Sequence, residues 1–467
     1  MLDLKYIREN VEAVKENAKN RLSTVDIDAL LKKDEALRAL ITEMEALRAK
    51  RNQSSKQKPG ADEIKAMKEL GDTIAKLEEK ERVAAAELQT ELAAVPNLTH
   101  PEVKISSDEN DNPVLGQYGE IPTFSFEPKD HVELAEALDL IDFERGTKVS
   151  GAKFYFLKNQ MVLLSLALNR YALDVTLKYG FTPMITPDLA KTTIVEGMGY
   201  SPRGESSQIY NIENDTLSLI GTAEITVGGY HSGETIDLCS PKKYVALSHC
   251  FRTEAGAYSK FSKGIFRVHQ FEKLEMFIFC QQEEAEKLHT EMLEIEKEIF
   301  SGLEIPFRVI DHCTADLGAP SYRTFDLEAW LPGKPNAEGG KGDWAEITST
   351  SNCTDYQSRS LNIKYKDEAG NKKLAYTLNG TAYNDLTSFL SAAGGTFARG
   401  SIGTYYDSSG VLQTASSGTP RFDYDPVSHA AKGILIEESR TNLLTRSSEF
   451  DNAAWGKNSA TITANNI

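Results

Sequence analysis

The stretch Phe251-Arg252-Thr253-Glu254-Ala255-Gly256, followed after a loop ending Lys263-Gly264 by Phe266-Arg267-Val268-His269-Gln270-Phe271-Glu272-Lys273-Leu274-Glu275, decides how the rest of the chain is read. Apolar residues alternate with polar ones at Phe266 and Val268, and again through Phe271, Met276 and Ile278. This pattern predicts two antiparallel strands joined by the loop 255–264. On such a hairpin Arg252 offers a planar, permanently charged fork for a phosphate or carboxylate, and Phe271 offers a face on which a base can stack. Glu254 and Glu275 are expected beside a cation, which would keep them ionised and able to hold amino or hydroxyl donors.

FRTEAG followed by FRVHQFEKLE resembles motif 2 of the bacterial-type seryl-tRNA synthetases, a family of class II aminoacyl-tRNA synthetases, and the resemblance runs from Met1 to about Ala382. Its other marks lie in order along the chain. Gly180-Phe181-Thr182-Pro183-Met184-Ile185-Thr186-Pro187, after an expected helix at 158–179, is similar to motif 1, the family's dimer interface. Leu219-Ile220-Gly221-Thr222-Ala223-Glu224 is similar to the T-x-E loop that holds serine, with Gly221 where the family usually has proline. Ala345-Glu346-Ile347-Thr348-Ser349 falls where the family binds ATP and magnesium, and Tyr376-Thr377-Leu378-Asn379-Gly380-Thr381 matches a strand whose last hydroxyl meets the serine side chain.

The resemblance implies an α+β fold, with an N-terminal antiparallel helical coiled-coil arm and an antiparallel sheet core flanked by helices. It implies a two-step reaction, activation of L-serine by ATP with Mg2+ and transfer to tRNA(Ser), in a cytoplasmic homodimer. Arg252 and Glu254 are then the candidate catalytic groups. Serine would be held by Thr222, Ala223, Glu224, Glu275, Asn379 and Thr381. ATP would be held by Arg252, Thr253, Glu254, Val268, Phe271, Glu346, Ile347, Thr348 and Ser349, with Glu346 and Ser349 on the metal. Three apart on an extended segment, those last two do not share a face, so a bulge or strand end is expected between them.

The arm is visible in the pattern itself. Leu30, Leu37 and Met44 repeat every seven residues, and after the turn at 52–60 Met67, Ile74, Leu88 and Val95 keep a second heptad phase, weakened by Glu81 and Glu91. Two helices of about 30 residues make an arm on the order of 45 Å long. Arg48, Lys50, Arg51, Lys56 and Lys58 cluster at its tip with no acidic residue between them. Composition alone leaves a solvated tip and an RNA-tracking surface both open; the resemblance selects tRNA binding.

Bulk properties bound the rest. A chain of 467 residues, 40% hydrophobic, has enough material for two or three domains, and a net charge of −17 argues against non-specific coating of nucleic acid. Five cysteines with no C-x-x-C pair indicate neither a disulfide framework nor a zinc ribbon. No signal peptide or membrane span is expected. The expected divisions are the arm at 1–100, a proline-rich linker at 101–129, the core at 130–382 and a different segment at 383–467.

In that last segment Gly, Ser and Thr make up 29 of 85 residues, helical periodicity is absent, and Gly395 to Asp407 with Pro420 to Pro426 resembles a phage tail or virion segment. The family's motif 3, an arginine eight positions after the asparagine and then an apolar helix, is missing, since position 387 is Thr387. Arg399 lies twenty residues after Asn379 and does not fill the place. Two further readings therefore stay open: a non-catalytic tRNA- or serine-binding relative, and a phage structural fusion protein.

Overall fold

The structure is a computed structural model that describes residues 1–54, 61–200, 207–254 and 264–384, and in the C-terminal part 403–406, 409, 411–415, 422–424 and 431–434. The chain divides into two units, Met1–Gly395 and Thr396–Ile467.

The arm is the pair α3 (Ile27–Ser54) and α4 (Ala61–Ala93), preceded by α1 (Leu4–Glu9) and α2 (Val11–Asn20). The heptad reading is borne out where it can be followed: Leu30, Met44, Ile74, Leu77 and Leu88 are buried along the seam. Lys33 reaches Glu91 at 2.5 Å, so an acid expected to weaken the seam is paired there. The chain breaks between α1 and α2 because Asn10 leaves helical geometry at φ −133° and turns its side-chain amide onto the Tyr6 carbonyl. At the arm's base Ile7, Val14, Ile27, Leu30, Leu88, Leu92 and Val95 cluster with Tyr356 of the core, which roots the arm on the catalytic body.

The body is built on an eight-stranded sheet, with smaller sheets of two and three strands around it. Its strands are β1 (Val114–Tyr118), β2 (Thr182–Ile185), β3 (Lys242–Phe251), β4 (Gln270–Cys280), β5 (Phe307–Asp311), β6 (Arg323–Pro335), β7 (Lys341–Asn352) and β8 (Tyr376–Asn384), in the spatial order β1-β5-β6-β7-β8-β4-β3-β2. Every neighbouring pair is antiparallel except β2 with β3. Period-two alternation sorts β4 cleanly. Leu274, Met276 and Ile278 face back onto α6 (Gln160–Lys178) and α7 (Ala285–Gly302), packing with Leu168, Val175, Met292, Ile295 and Ile299. Each such buried aliphatic side chain contributes roughly 1.5–3 kcal/mol. Phe277 and Phe279 face front, against Ala223, Val227 and Leu361.

The hairpin expected around motif 2 is present as β3 and β4, with Phe251 opposite Gln270. The second strand starts later than the alternation at Phe266 and Val268 suggested. Residues 265–269 are held by a mixture of bonds: Ile265 N–H donates to His131 Nε2 at 3.3 Å, His269 Nδ1 lies 2.9 Å from the Arg252 carbonyl, and the His269 carbonyl accepts from Arg252 N–H at 3.1 Å. Gly264, at φ +64°, presses so close to His131 that a Cβ would lie 2.3 Å from its Nε2. Helix α5 (Phe143–Ser150), N-capped by Asp142, precedes α6.

The second unit carries two short hairpins, Gly403–Tyr406 with Leu412–Ala415 and Phe422–Tyr424 with Ala431–Ile434. Residues 435–467 lie outside the described residues. No described helix is long and apolar enough to cross a membrane.

Candidate active site

Front-facing side chains of β4, β7 and β8 meet loops 199–200 and 318–321 around a cleft of about 350 Å3. Of the residues singled out in the sequence, Glu224, Arg252, Glu275, Glu346, Thr348, Ser349, Asn379 and Thr381 line it. Thr222 joins them through a hydrogen bond from its Oγ1 to Glu275 Oε2 at 2.9 Å, while the same oxygen caps the helix Ala223–Gly229 by accepting from Glu224 N–H.

At one end lie two buried acids. Glu224 is 6% exposed and accepts hydrogen bonds from Tyr200 Oη at 2.6 Å, Gln357 Nε2 at 2.6 Å and Asn379 Nδ2 at 2.9 Å. Burial first, and the charge of Glu275 second, push its carboxyl up to about 7 even so. Glu275 is ion-paired with Lys273. The expectation that Glu254 and Glu275 each sit beside a cation holds, the cation being Lys273 for Glu275 and Arg267, at 3.2 Å, for Glu254.

Arg252 lies along the middle. Its Nε donates to the Gly221 carbonyl at 3.1 Å, and its guanidinium stands 5.2 Å from the centre of the Phe271 ring. The stacking face expected of Phe271 is thus shared with a cation, a contact that fixes the guanidinium plane. A side chain at Gly221 would meet Arg252 at an ordinary 3.6 Å, so the space there does not require glycine.

Glu346 and Ser349 mark the far end, and the expected bulge brings them together. Leu327 pairs with Thr348 while Glu328 pairs with Glu346, leaving Ile347 as the extra residue. Ile347 joins the back core and Thr348, although it borders the cleft, turns its hydroxyl back onto Glu296 on α7, so Glu346 and Ser349 both face the cleft. Water reaches Glu346 through the mouth of the cleft, yet enclosure by its walls and then Asp326 push the carboxyl up to about 7. His312 ring Nε2 lies 2.8 Å from Asp326. Burial disfavours its charge, but Asp326 outweighs that and raises the imidazole to about 9.

Not every expected residue presents a side chain here. Ala223, Val268 and Ile347 are packed in the hydrophobic clusters, so any contact they make with a ligand is through backbone. Thr253 turns its hydroxyl onto the Ser207 carbonyl at 2.7 Å, and Glu254 sits at φ +51° with only 8% of its side chain exposed. Tyr200, Lys273, His312, Asp326 and Gln357 were missed. Lys273 was legible, because it alternates with Phe271 and Glu275 on one strand face; the others arrive from distant loops and helices. At the arm tip Lys50 and Arg51 are exposed and Arg48 pairs with Glu78 at 2.8 Å, whereas Lys56 and Lys58 lie outside the described residues.

An antiparallel sheet carrying a phenylalanine-backed arginine, buried acids and a carboxylate–serine pair in one front cleft defines the class II aminoacyl-tRNA synthetases. Residues 210–394 match the family described as tRNA synthetase class II core domain (G, H, P, S and T), and residues 1–99 match the seryl-tRNA synthetase N-terminal domain. The serine–tRNA ligase of Treponema denticola is 52% identical over 390 residues, covering 82% of this chain and 91% of that protein; that of Rubrobacter xylanophilus is 48% identical, covering 82% and 90%. Among solved structures, seryl-tRNA synthetase from Pyrococcus horikoshii complexed with ATP is 36% identical at a TM-score of 0.73, covering 85% of this chain and 94% of that one. The chain belongs to the seryl-tRNA synthetase family.

Proposed function

We propose that the chain is a cytoplasmic serine–tRNA ligase acting on L-serine, ATP and tRNA(Ser). The observation that carries this reading is the gathering of Glu224, Glu275, Asn379 and Thr381 at one end of a cleft whose middle holds Arg252 over Phe271. In the first step a serine carboxylate oxygen attacks the α-phosphorus of ATP, the bond to the β-phosphate oxygen breaks, and pyrophosphate leaves. In the second, the terminal ribose hydroxyl of tRNA attacks the acyl carbon and AMP leaves.

Neither step needs a protein nucleophile, so positioning and charge are what the side chains supply. Arg252 neutralises the α-phosphate, Phe271 holds the adenine side, and Thr253 and Glu254 follow along the nucleotide. Glu224 takes the serine ammonium; Glu275 with Thr222 and Thr381 takes its hydroxyl. Such a pocket rejects alanine because the buried polar groups would be left unpaired.

Glu346 and Ser349 suit a hard cation, being oxygen donors on one face, with an Asp326 oxygen behind that has no hydrogen-bond partner among the described residues. A magnesium ion there would neutralise phosphate charge. Arg48, Lys50, Arg51, Lys56 and Lys58 would track the backbone of tRNA, and the motif 1 face would pair two copies.

Loss of motif 3 belongs to the same reading. The class II match ends at 394, and position 387 within it is Thr387. Removing one charge contact to a reacting nucleotide commonly costs ~10²–10³ in rate. Serine-dependent ATP–pyrophosphate exchange is therefore expected to be weak while serine binding persists, and replacing residues 383–467 with a genuine motif 3 and closing helix should restore it. Exchange at full family rate by the present chain would contradict the loss. Serine tRNA binding with no aminoacylation even after repair would favour a non-catalytic relative, and a phage-derived tail is the reading for the segment beyond 383.

A further inference from the structure

The wall of the cleft opposite the sheet hangs from the N-terminal domain. Six consecutive carbonyls, Leu317 to Tyr322, each accept a hydrogen bond from it. Arg21, at the end of α2, donates through Nη2 to Leu317 at 3.1 Å and also to Gly318, and through Nη1 to Ser321 at 2.9 Å. Asn97, just past α4, gives its backbone N–H to Ala319 at 2.8 Å and its side-chain amide to Pro320 at 2.8 Å. His100 N–H takes Tyr322 at 2.9 Å. Arg21 is 8% exposed, and its two terminal nitrogens donate to four carbonyls, the fourth being that of Asn97 at 3.0 Å, while its buried Nε has no hydrogen-bond partner among the described residues. A buried cation without a carboxylate partner is an expensive way to hold a loop, and a fork of fixed donors is what lets one side chain span three loop carbonyls at once.

The loop so held reaches the serine end. Pro320 stands 3.4 Å from where a side chain at Gly199 would begin, and Gly199 is followed by Tyr200, whose hydroxyl donates to Glu224. We infer that Arg21 is a positioning residue for amino-acid recognition, holding the wall 317–321 against Gly199-Tyr200 and through it fixing Glu224. The inference rests on the serine reading of the cleft. The nucleotide end is built from β4 and β7 and does not hang on this loop, so the two ligands should respond differently.

The test is calorimetric titration of serine and, separately, ATP into the full-length protein and its Arg21→Lys and Arg21→Ala variants. Arg21→Lys keeps the charge and loses the fork. The expected result is serine affinity weakened about tenfold or more, ATP affinity within about twofold of the parent, and recovery of serine binding by Arg21→Ala in millimolar ethylguanidinium. If Arg21→Ala does not fold, Arg21→Lys alone decides. Equal loss of both ligands, or loss of neither, overturns the inference; absence of serine binding in the parent overturns the serine reading, and the inference with it.

Discussion

Glu224 shows how burial and hydrogen bonding oppose each other at one atom. Three donors and Lys273 favour its ionised form, but burial and Glu275 win and leave it titrating near 7. Its folded value lies above the ordinary 4.5, so the folded protein binds the extra proton. The stability this contributes is full below about pH 4.5 and is lost as pH rises through about 7. A cationic ligand inverts the preference. Serine affinity should strengthen with pH across that window, and Glu224→Gln should bind serine weakly and flatten the profile; calorimetry at a series of pH values checks both. The neighbouring Lys273–Glu275 pair makes a second claim. Both residues are buried, at 7% and 2% exposure, so Glu275→Ala strands a cation in the interior. A loss of about 3–5 kcal/mol in urea unfolding is expected.

At the scale of elements the bulge at Ile347 is the feature on which the nucleotide end turns. Deleting Ile347 would make the strand regular and leave Glu346 and Ser349 two apart, still sharing the cleft face. ATP binding by that variant should keep its dependence on added magnesium and should lose it in Glu346→Ala, with serine binding surviving in both, as paired titrations with and without the ion would show. This bulge was legible in the sequence, since two residues three apart with one expected job cannot share a face of a flat strand. The hairpin and both arm helices were legible from a period of two or seven, while the strand that carries Asn379 and Thr381 was legible through its resemblance to the family. What period could not reach was the late start of β4, where the His131 and His269 side chains bond to the backbone beside it, and the break at Asn10. The partners of Glu254 and Glu275 were likewise hidden. In sequence Arg252 is the conspicuous cation, and only packing decides that Arg267 and Lys273 lie nearer.

The molecule as a whole carries an unpartnered apolar face beside motif 1. Leu163 and Leu166 on α6 are 62% and 60% exposed, and Ile185 on the edge strand β2 is 87% exposed. Side chains of this kind, clustered around a sheet edge, suit a second copy of the chain. Sedimentation should find a dimer, and Leu166→Asp with Ile185→Asp should shift it to a monomer. The arm makes the charge claim at this scale. Lys50→Glu with Arg51→Glu should weaken serine tRNA binding and shallow its salt dependence by roughly two ions, leaving serine binding untouched.

The deepest commitment is that the acids on the front of the sheet form a pocket for an amino acid with a hydroxyl. The most direct measurement is calorimetric titration of the protein with L-serine and with L-alanine under the same conditions. Binding of serine, with alanine weaker by about 10⁴-fold or too weak to detect, is the predicted result. Equal heats for the two amino acids, or none for either, would contradict it.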